Sequence, residues 1–178
     1  MRRRSLAATA AALTLAITLG LGLVGCGSPR MSALHSNCTT KSLRWKLTLL
    51  KKKPHSTHRD ARLSIANKGP GPCVFHGFPA FAVHVGKGPE SDAKGHGRPM
   101  PIDLRRGGTL TTALRYKDSD RVTQPHGCIV SNDTAVVAAP RDPRDGRPIT
   151  ARDEAGRRTQ MSVCEDTIWM SPPKEIAD

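Results

Sequence analysis

Aromatic side chains are scarce in this chain: three Phe, two Trp and one Tyr among 178 residues. A core claims most of so small a supply, because burying one Phe stabilises by about 1.5–3 kcal/mol. That argues against a row of exposed rings in "CVFHGFPAF", residues 73–81, which carries all three Phe. Sustained helical stripes are missing after residue 26, which argues against helical bundles and helix-based DNA readers. No CxxC pair, GxSxG elbow, HExxH or glycine-rich phosphate loop occurs, so no common enzyme or zinc signature is present. Acidic residues are few, 15 Asp and Glu against 28 Lys and Arg, leaving a net charge of +13.

What is present starts with a leader. "MRRRS" is cationic, and Leu6 to Val24 follows without a charge. A run of this length sits near the lower limit for a bilayer span of about 20 residues, so a retained anchor competes with a cleaved signal. "LVGC" at Leu23 to Cys26 resembles a bacterial lipobox, in which the Cys after the cut carries a diacylglyceryl group. The reading is a lipoprotein signal peptide over residues 1–25 with lipidation at Cys26, and a flexible polar tether over 26–36. Arg2 to Arg4 stay on the cytoplasmic side and place the rest outside, anchored to the outer face of the membrane. The arginines match a twin-arginine signal only in part, and either export route reaches the same compartment.

Setting Cys26 aside leaves Cys38, Cys73, Cys128 and Cys164, an even number in an oxidising compartment, where two disulfides are expected. Four cysteines allow three connectivities. If Leu43 to Leu49 and Ala61 to Asn67 form a hairpin around "KKKPHSTHRD", the residues before the first strand face those after the second, which pairs Cys38 with Cys73. The midpoint of Cys128 and Cys164 falls at Gly146 in "RDPRDGRP", whose Asp-Gly is a turn signal, so these two pair. Each bridge contributes roughly 4 kcal/mol in the chain-entropy model.

The rest reads as strands. "LRWKLTLL" alternates Leu43, Trp45, Leu47 and Leu49 against polar residues, a period of two. "ARLSIAN", "AFAVHV", "TLTTALRY", "TAVVAA" and "QMSVC" follow, and "TIWM" is read as an added edge. Residues 86–101 and 141–158 are rich in Gly, Pro and charge and read as loops. The expected fold is all-β, an antiparallel immunoglobulin-like β-sandwich with two disulfides over residues 37–173 and a tail over 174–178, with an all-β barrel as the alternative.

The ordered landmarks resemble the domain of unknown function 4232 family, found in actinobacterial secreted proteins and lipoproteins. They are an opening Cys in "NCTTKSLRW", an Asn-x-Gly before a Cys and a Gly-aromatic-Pro in "IANKGPGPCVFHGFPAF", "GCIVSNDTAVVAAP", and the last Cys in "VCEDTIWM". Ala80 stands where the family often has Gly, and the segment before the last Cys is longer and more charged than usual. The resemblance implies a secreted β-sandwich and no established activity. In "CVFHGFPAF", Phe75 and Phe81 are expected around the Cys38–Cys73 bridge, and Phe78, between Gly77 and Pro79, is the ring least expected to be buried.

Charge points to a partner. Loss of residues 1–25 removes Arg2 to Arg4 and no acid, so +13 becomes +13 − 3 = +10. Outside the membrane the available anions are lipid head groups and phosphate-bearing wall polymers, which a tethered cationic domain meets at high effective concentration. Lys51, Lys52, Lys53 and Arg59 at the first hairpin tip are the candidate anion-binding residues. A non-catalytic envelope-binding module is therefore expected, without cofactor or metal and without nucleic acid as partner. Simple solubility is the competing account of the charge. The alternative function is a secreted hydrolase-like enzyme with a site in the long loops. His55 and His58 lie beside Lys51 to Lys53, whose field opposes a cation. Composition and spacing leave oligomeric state undetermined.

Overall fold

The computed structural model describes residues 35–118 and 128–176. Cys26, the leader and the start of the tether lie outside the described residues. Thirteen strands are assigned: β1 (Leu43–Leu49), β2 (His58–Asn67), β3 (Cys73–Phe75), β4 (Ala80–His84), β5 (Glu90–Gly95), β6 (Ile102–Leu104), β7 (Thr109–Lys117), β8 (Val130–Asn132), β9 (Thr134–Ala138), β10 (Arg147–Asp153), β11 (Met161–Val163), β12 (Thr167–Met170) and β13 (Lys174–Glu175).

Two antiparallel arrays form as the sequence pattern requires. In one, β1 pairs β2 from Leu43↔Asn67 to Leu49↔Ala61, and β2 pairs β7. In the other, β5, β4, β9 and β10 pair in that order, each antiparallel to the next. Alternation sends Leu47, Leu49, Leu63, Ile65, Leu110 and Leu114 inward to a common core with Phe81, Val83, Val137 and Ile168.

The arrays do not stack as an immunoglobulin-like sandwich. They join edge to edge at two seams and close an eight-stranded mixed barrel, which corrects the sandwich expectation. At one seam β1 runs parallel to β10, Leu47 opposite Ala151. At the other, β12 lies parallel to β5 and antiparallel to β7, with Met170 opposite Leu114. "TIWM", read as an edge, is thus the stave that closes the ring. Closure removes exposed strand edges, and a barrel of eight strands is just wide enough for side chains to fill.

The two polar stretches read as loops are also partly strand. Residues 86–101 contain β5, whose inward Ser91 is buried and donates a hydrogen bond from Oγ to the Glu165 carbonyl at 3.1 Å. Residues 141–158 contain β10. In the segment read as a tail, Lys174 and Glu175 form β13 against Thr111 and Leu110 of β7.

Both disulfides are present, Cys38 with Cys73 and Cys128 with Cys164, with Cα separations of 4.9 and 3.6 Å. Cys38 reaches Cys73 because its N–H donates to the Val74 carbonyl at 3.0 Å and the Val74 N–H donates to the Ser36 carbonyl at 2.9 Å. Phe75 and Phe81 are buried in the core cluster with this bridge. Phe78 is half-buried, its ring lying over Gly95, where a Cβ would collide with it.

Tyr116 of β7 is fully buried, and among the described residues its hydroxyl has no hydrogen-bond partner. Burial holds its phenol well above the ordinary range, opposed by Arg59 and aided by Asp118 and Asp60. An unfolded chain ionises this phenol near pH 10 and the folded chain only higher. Its contribution to stability is therefore complete below pH 10 and falls as pH rises above it. Tyr116→Phe is expected to raise stability at pH 7 by about 1 kcal/mol, since it removes an unpaired buried polar group, and to flatten the alkaline decline. Urea denaturation at pH 7 and pH 10.5 checks this, and a loss of stability at pH 7 refutes it.

Candidate functional site

Four cations were expected to act together at the β1–β2 tip, and the structure separates them. The Lys52 ammonium donates to the Asp118 carbonyl at 2.9 Å. Arg59 donates from Nε to the Leu50 carbonyl at 2.9 Å and lies 3.8 Å from the Asp118 carboxylate, largely shielded from solvent. These two brace the base of the tip against the end of β7. Lys51 and Lys53 are exposed. The backbone between them and β2 is shaped by His55 at φ 60° and by the Lys53 carbonyl, which accepts from the Ser56 N–H at 3.2 Å. The Lys51 backbone N–H donates to the Glu154 carboxylate at 3.0 Å, and its exposed side chain has no ion pair among the described residues.

Other cations are spent on loop structure. Arg157 donates to Asp153 at 2.8 Å and Arg158 is paired with Asp133, which folds the β10–β11 connection onto the barrel. The Arg158 hydrogen bond holds the Asp133 carboxyl below its usual range. The Asp153 carboxyl is lowered too, first by the backbone N–H of Arg157 and then by its side chain. Lys117 lies 3.5 Å from Glu165, and Lys41 3.1 Å from Asp145. Among the described residues no cluster of three or more His, Cys, Asp or Glu is placed to hold a metal ion.

A site that sequence reasoning missed lies on the outer face where β2, β7 and β12 meet. It is a groove of about 770 Å³, within the usual range for small-ligand sites of about 300–1,000 Å³. Trp169 lines it, with Arg115, Arg62 and Asp60 on the β7 and β2 side and with His96 and Pro172 from the segments that follow β5 and β12. Leu50 closes the end that leads to Lys51 and the tip. Alternation explains the placement: Ile168 and Met170 of β12 are buried, so Trp169 between them faces out and remains 48% exposed. Arg115 is its direct cross-strand partner on β7, and Asp60 is opposite Arg115 on β2.

The face is braced at its side. The His96 imidazole meets the indole edge to face, centroids 6.5 Å apart at 85°. The His96 N–H donates to the Met170 carbonyl at 2.8 Å. Gly97 next to it adopts φ 97°, and a Cβ there would meet Pro172 at 3.1 Å. A glycine is required for the turn to close on Pro172. The sequence signal for this site was a Trp flanked by two apolar residues in a four-residue strand, which forces it to the opposite face. His96 was hidden in a stretch read as loop.

A family model described as a domain of unknown function, DUF4232, matches residues 38–169, a span that includes both disulfides, the β1–β2 tip and Trp169. No curated protein and no solved structure matches the chain.

Proposed function

As this chain belongs to the domain of unknown function 4232 family, which brings no activity with it, we propose from its own residues that it is a non-catalytic binding module for anionic envelope material. In this reading it is a lipoprotein held at the outer face of the cell membrane by a lipid on Cys26. The observation that carries the reading is the excess of exposed cations without ion-pair partners among the described residues, spread over the barrel surface from Arg44, Lys46 and Lys68 to Arg147 and Arg152 and including Lys51 and Lys53 at the tip and Arg62 and Arg115 beside the groove. A minority are neutralised, among them Arg157 by Asp153 and Arg158 by Asp133. A net charge of +13 − 3 = +10 after removal of residues 1–25 adds long-range attraction for a polyanion. A tether that confines the domain to the membrane surface raises the local concentration of such partners and makes weak sites sufficient.

Cosedimentation with phosphatidylglycerol and phosphatidylcholine vesicles, and with purified phosphate-bearing wall polymer, tests the reading. Cys26→Ser is used for the soluble domain, and the same variant is expected to leave the membrane fraction in cells. Retention is expected on the anionic vesicles or the polymer at 0.1 M salt and to be lost at 1 M, as the Debye length falls from about 10 to 3 Å. Lys51→Gln with Lys53→Gln is expected to weaken it roughly thirtyfold, at about 1 kcal/mol per lysine near an anionic surface. Lys52 is left in place because it braces Asp118. Equal retention on neutral and anionic vesicles and on the polymer, unchanged by salt, overturns the proposal.

A further inference from the structure

We propose that the groove at Trp169 is a subsite for an acidic saccharide, a pyranose ring lying on the indole and its carboxylate or phosphate held by Arg115 and Arg62. The inference rests on the reading of an anionic partner and names its chemistry.

The supply of aromatics makes Trp169 unusual. Phe75, Phe81 and Tyr116 are buried, and Trp45 and Phe78 pack against the core, so Trp169 is the ring left facing solvent. Nothing local relaxes it inward. It is pinned on both sides by β5 and β7, with Lys94 and Arg115 as its cross-strand partners, and His96 fixes the plane of the indole from one edge. A flat, rigid apolar surface presented this way matches the axial C–H face of a pyranose, which is apolar while its rim carries hydroxyls.

The rim of the groove supplies what a hydroxylated anion needs. Arg115 lies directly across from Trp169, where cross-strand Cβ atoms are about 4.5–5.5 Å apart, so its guanidinium reaches the edge of a ring stacked on the indole. Arg62 extends the same outer face of β2, where its own cross-strand partner is Ala113, a small residue that leaves the space open. Both arginines are exposed and neither has an ion pair among the described residues. A guanidinium pairs with a carboxylate or phosphate through two parallel N–H donors, a geometry that lysine cannot offer. Asp60 opposite Arg115 provides an acceptor for a sugar hydroxyl. An acidic peptide would satisfy the arginines and leave the indole without a matched face. A neutral glycan would do the reverse.

The test uses the full-length chain in detergent, titrated by calorimetry and by tryptophan fluorescence. The probes are a hexasaccharide alternating glucuronic acid and N-acetylglucosamine, a glucose-phosphate oligomer, the neutral N-acetylglucosamine hexamer, an oligo-aspartate of matched charge, and a short single-stranded oligonucleotide. The two acidic saccharides separate carboxylate from phosphate as the charged group, and binding of either is the expected result. Trp169→Ala is expected to weaken that binding at least tenfold and Arg115→Gln at least fivefold, and Trp169→Phe is expected to retain part of it. Thermal melts confirm that each variant is folded, and the Phe variant keeps the test valid if the Ala variant is not. If oligo-aspartate binds as well as the acidic saccharides and Trp169→Ala changes neither, the subsite is refuted while the general basic-surface reading stands. Preference for the neutral hexamer or the oligonucleotide, or loss in Trp169→Ala of a self-association seen in the wild type, also overturns it. Failure of every probe to bind refutes the subsite, and the basic-surface reading then stands or falls on the vesicle and polymer cosedimentation.

Discussion

Replacing Cys38 and Cys73 together by alanine is expected to lower stability by more than the roughly 4 kcal/mol of the chain-entropy model, and by more than the same change at Cys128 and Cys164. The two bridges span nearly equal lengths of chain, 35 and 36 residues apart, so loop entropy predicts the same loss for both. Burial separates them. Cys38 and Cys73 are 3% and 6% exposed and belong to the core cluster with Phe75, whereas Cys128 and Cys164 are half-buried. Removing the first bridge also strips sulfur contacts from the core and frees the segment that leads into β1, whose Thr40 is fully buried. Thr40 ties that segment to the β9–β10 connection, its N–H donating to Asp142 at 2.8 Å and its Oγ accepting from the Ala139 N–H at 2.9 Å. Urea denaturation of the two double variants beside the wild type decides the matter. Equal losses would mean that burial of the first bridge adds nothing to loop entropy.

Asn67→Ala is expected to cost about 3 kcal/mol, a large share of a domain stability of about 5–15 kcal/mol. Asn67 ends β2 and is 1% exposed. Its amide donates to the carbonyls of Gly71 and Leu104, both at 2.9 Å, and its side-chain oxygen accepts from the Gly69 N–H at 2.8 Å. Its backbone N–H and carbonyl join Gly108 and Gly107 at 3.0 and 2.9 Å. The side chain thus satisfies the turn into Cys73 and the end of β6, while the backbone of the same residue holds the approach to β7. Truncation leaves three backbone groups without partners, at about 1–3 kcal/mol for each that stays dry. Asn67→Asp separates packing from hydrogen bonding, because it has the same shape but sets a carboxylate oxygen against two carbonyls. Burial and those carbonyls raise the pKa of such a carboxyl above its unfolded value. The variant is therefore expected to be least stable, relative to wild type, at pH 7, and to recover as pH falls and the acid gains a donor. Denaturation at pH 7 and pH 4.5 reads both effects. An aspartate variant as stable as wild type at pH 7 would show that these bonds contribute nothing.

Asn67 is the Asn of the Asn-x-Gly landmark in "IANKGPGPC", so a feature visible in the sequence has a structural explanation in the turn it builds. The groove was less legible. Trp169 and Arg115 are 54 residues apart by their numbers (169 − 115) and meet only through the pairing of β12 with β7. The charged tip was visible as "KKKPHSTHR", but the division of its cations into solvated and engaged depended on Asp118, which lies beyond β7. A cation's neighbours in the chain do not reveal which distant carboxylate claims it.

The sequence by itself determined the all-β class, the hairpin of β1 and β2 and the cysteine partners, because a period of two and a turn between antiparallel strands are local patterns that bring flanking residues together. Only the tertiary structure decided that the two arrays close into a barrel. The seams of β1 with β10 and of β12 with β5 are parallel, and a parallel pair has no connecting turn to mark it. Strand β5 gave no apolar alternation to read, since its inward Ser91 is satisfied by a hydrogen bond to Glu165 rather than by hydrophobic packing. Closure fixes Ile168 and Met170 inside, and with them the outward position of Trp169. The barrel thus determines which ring remains exposed to solvent.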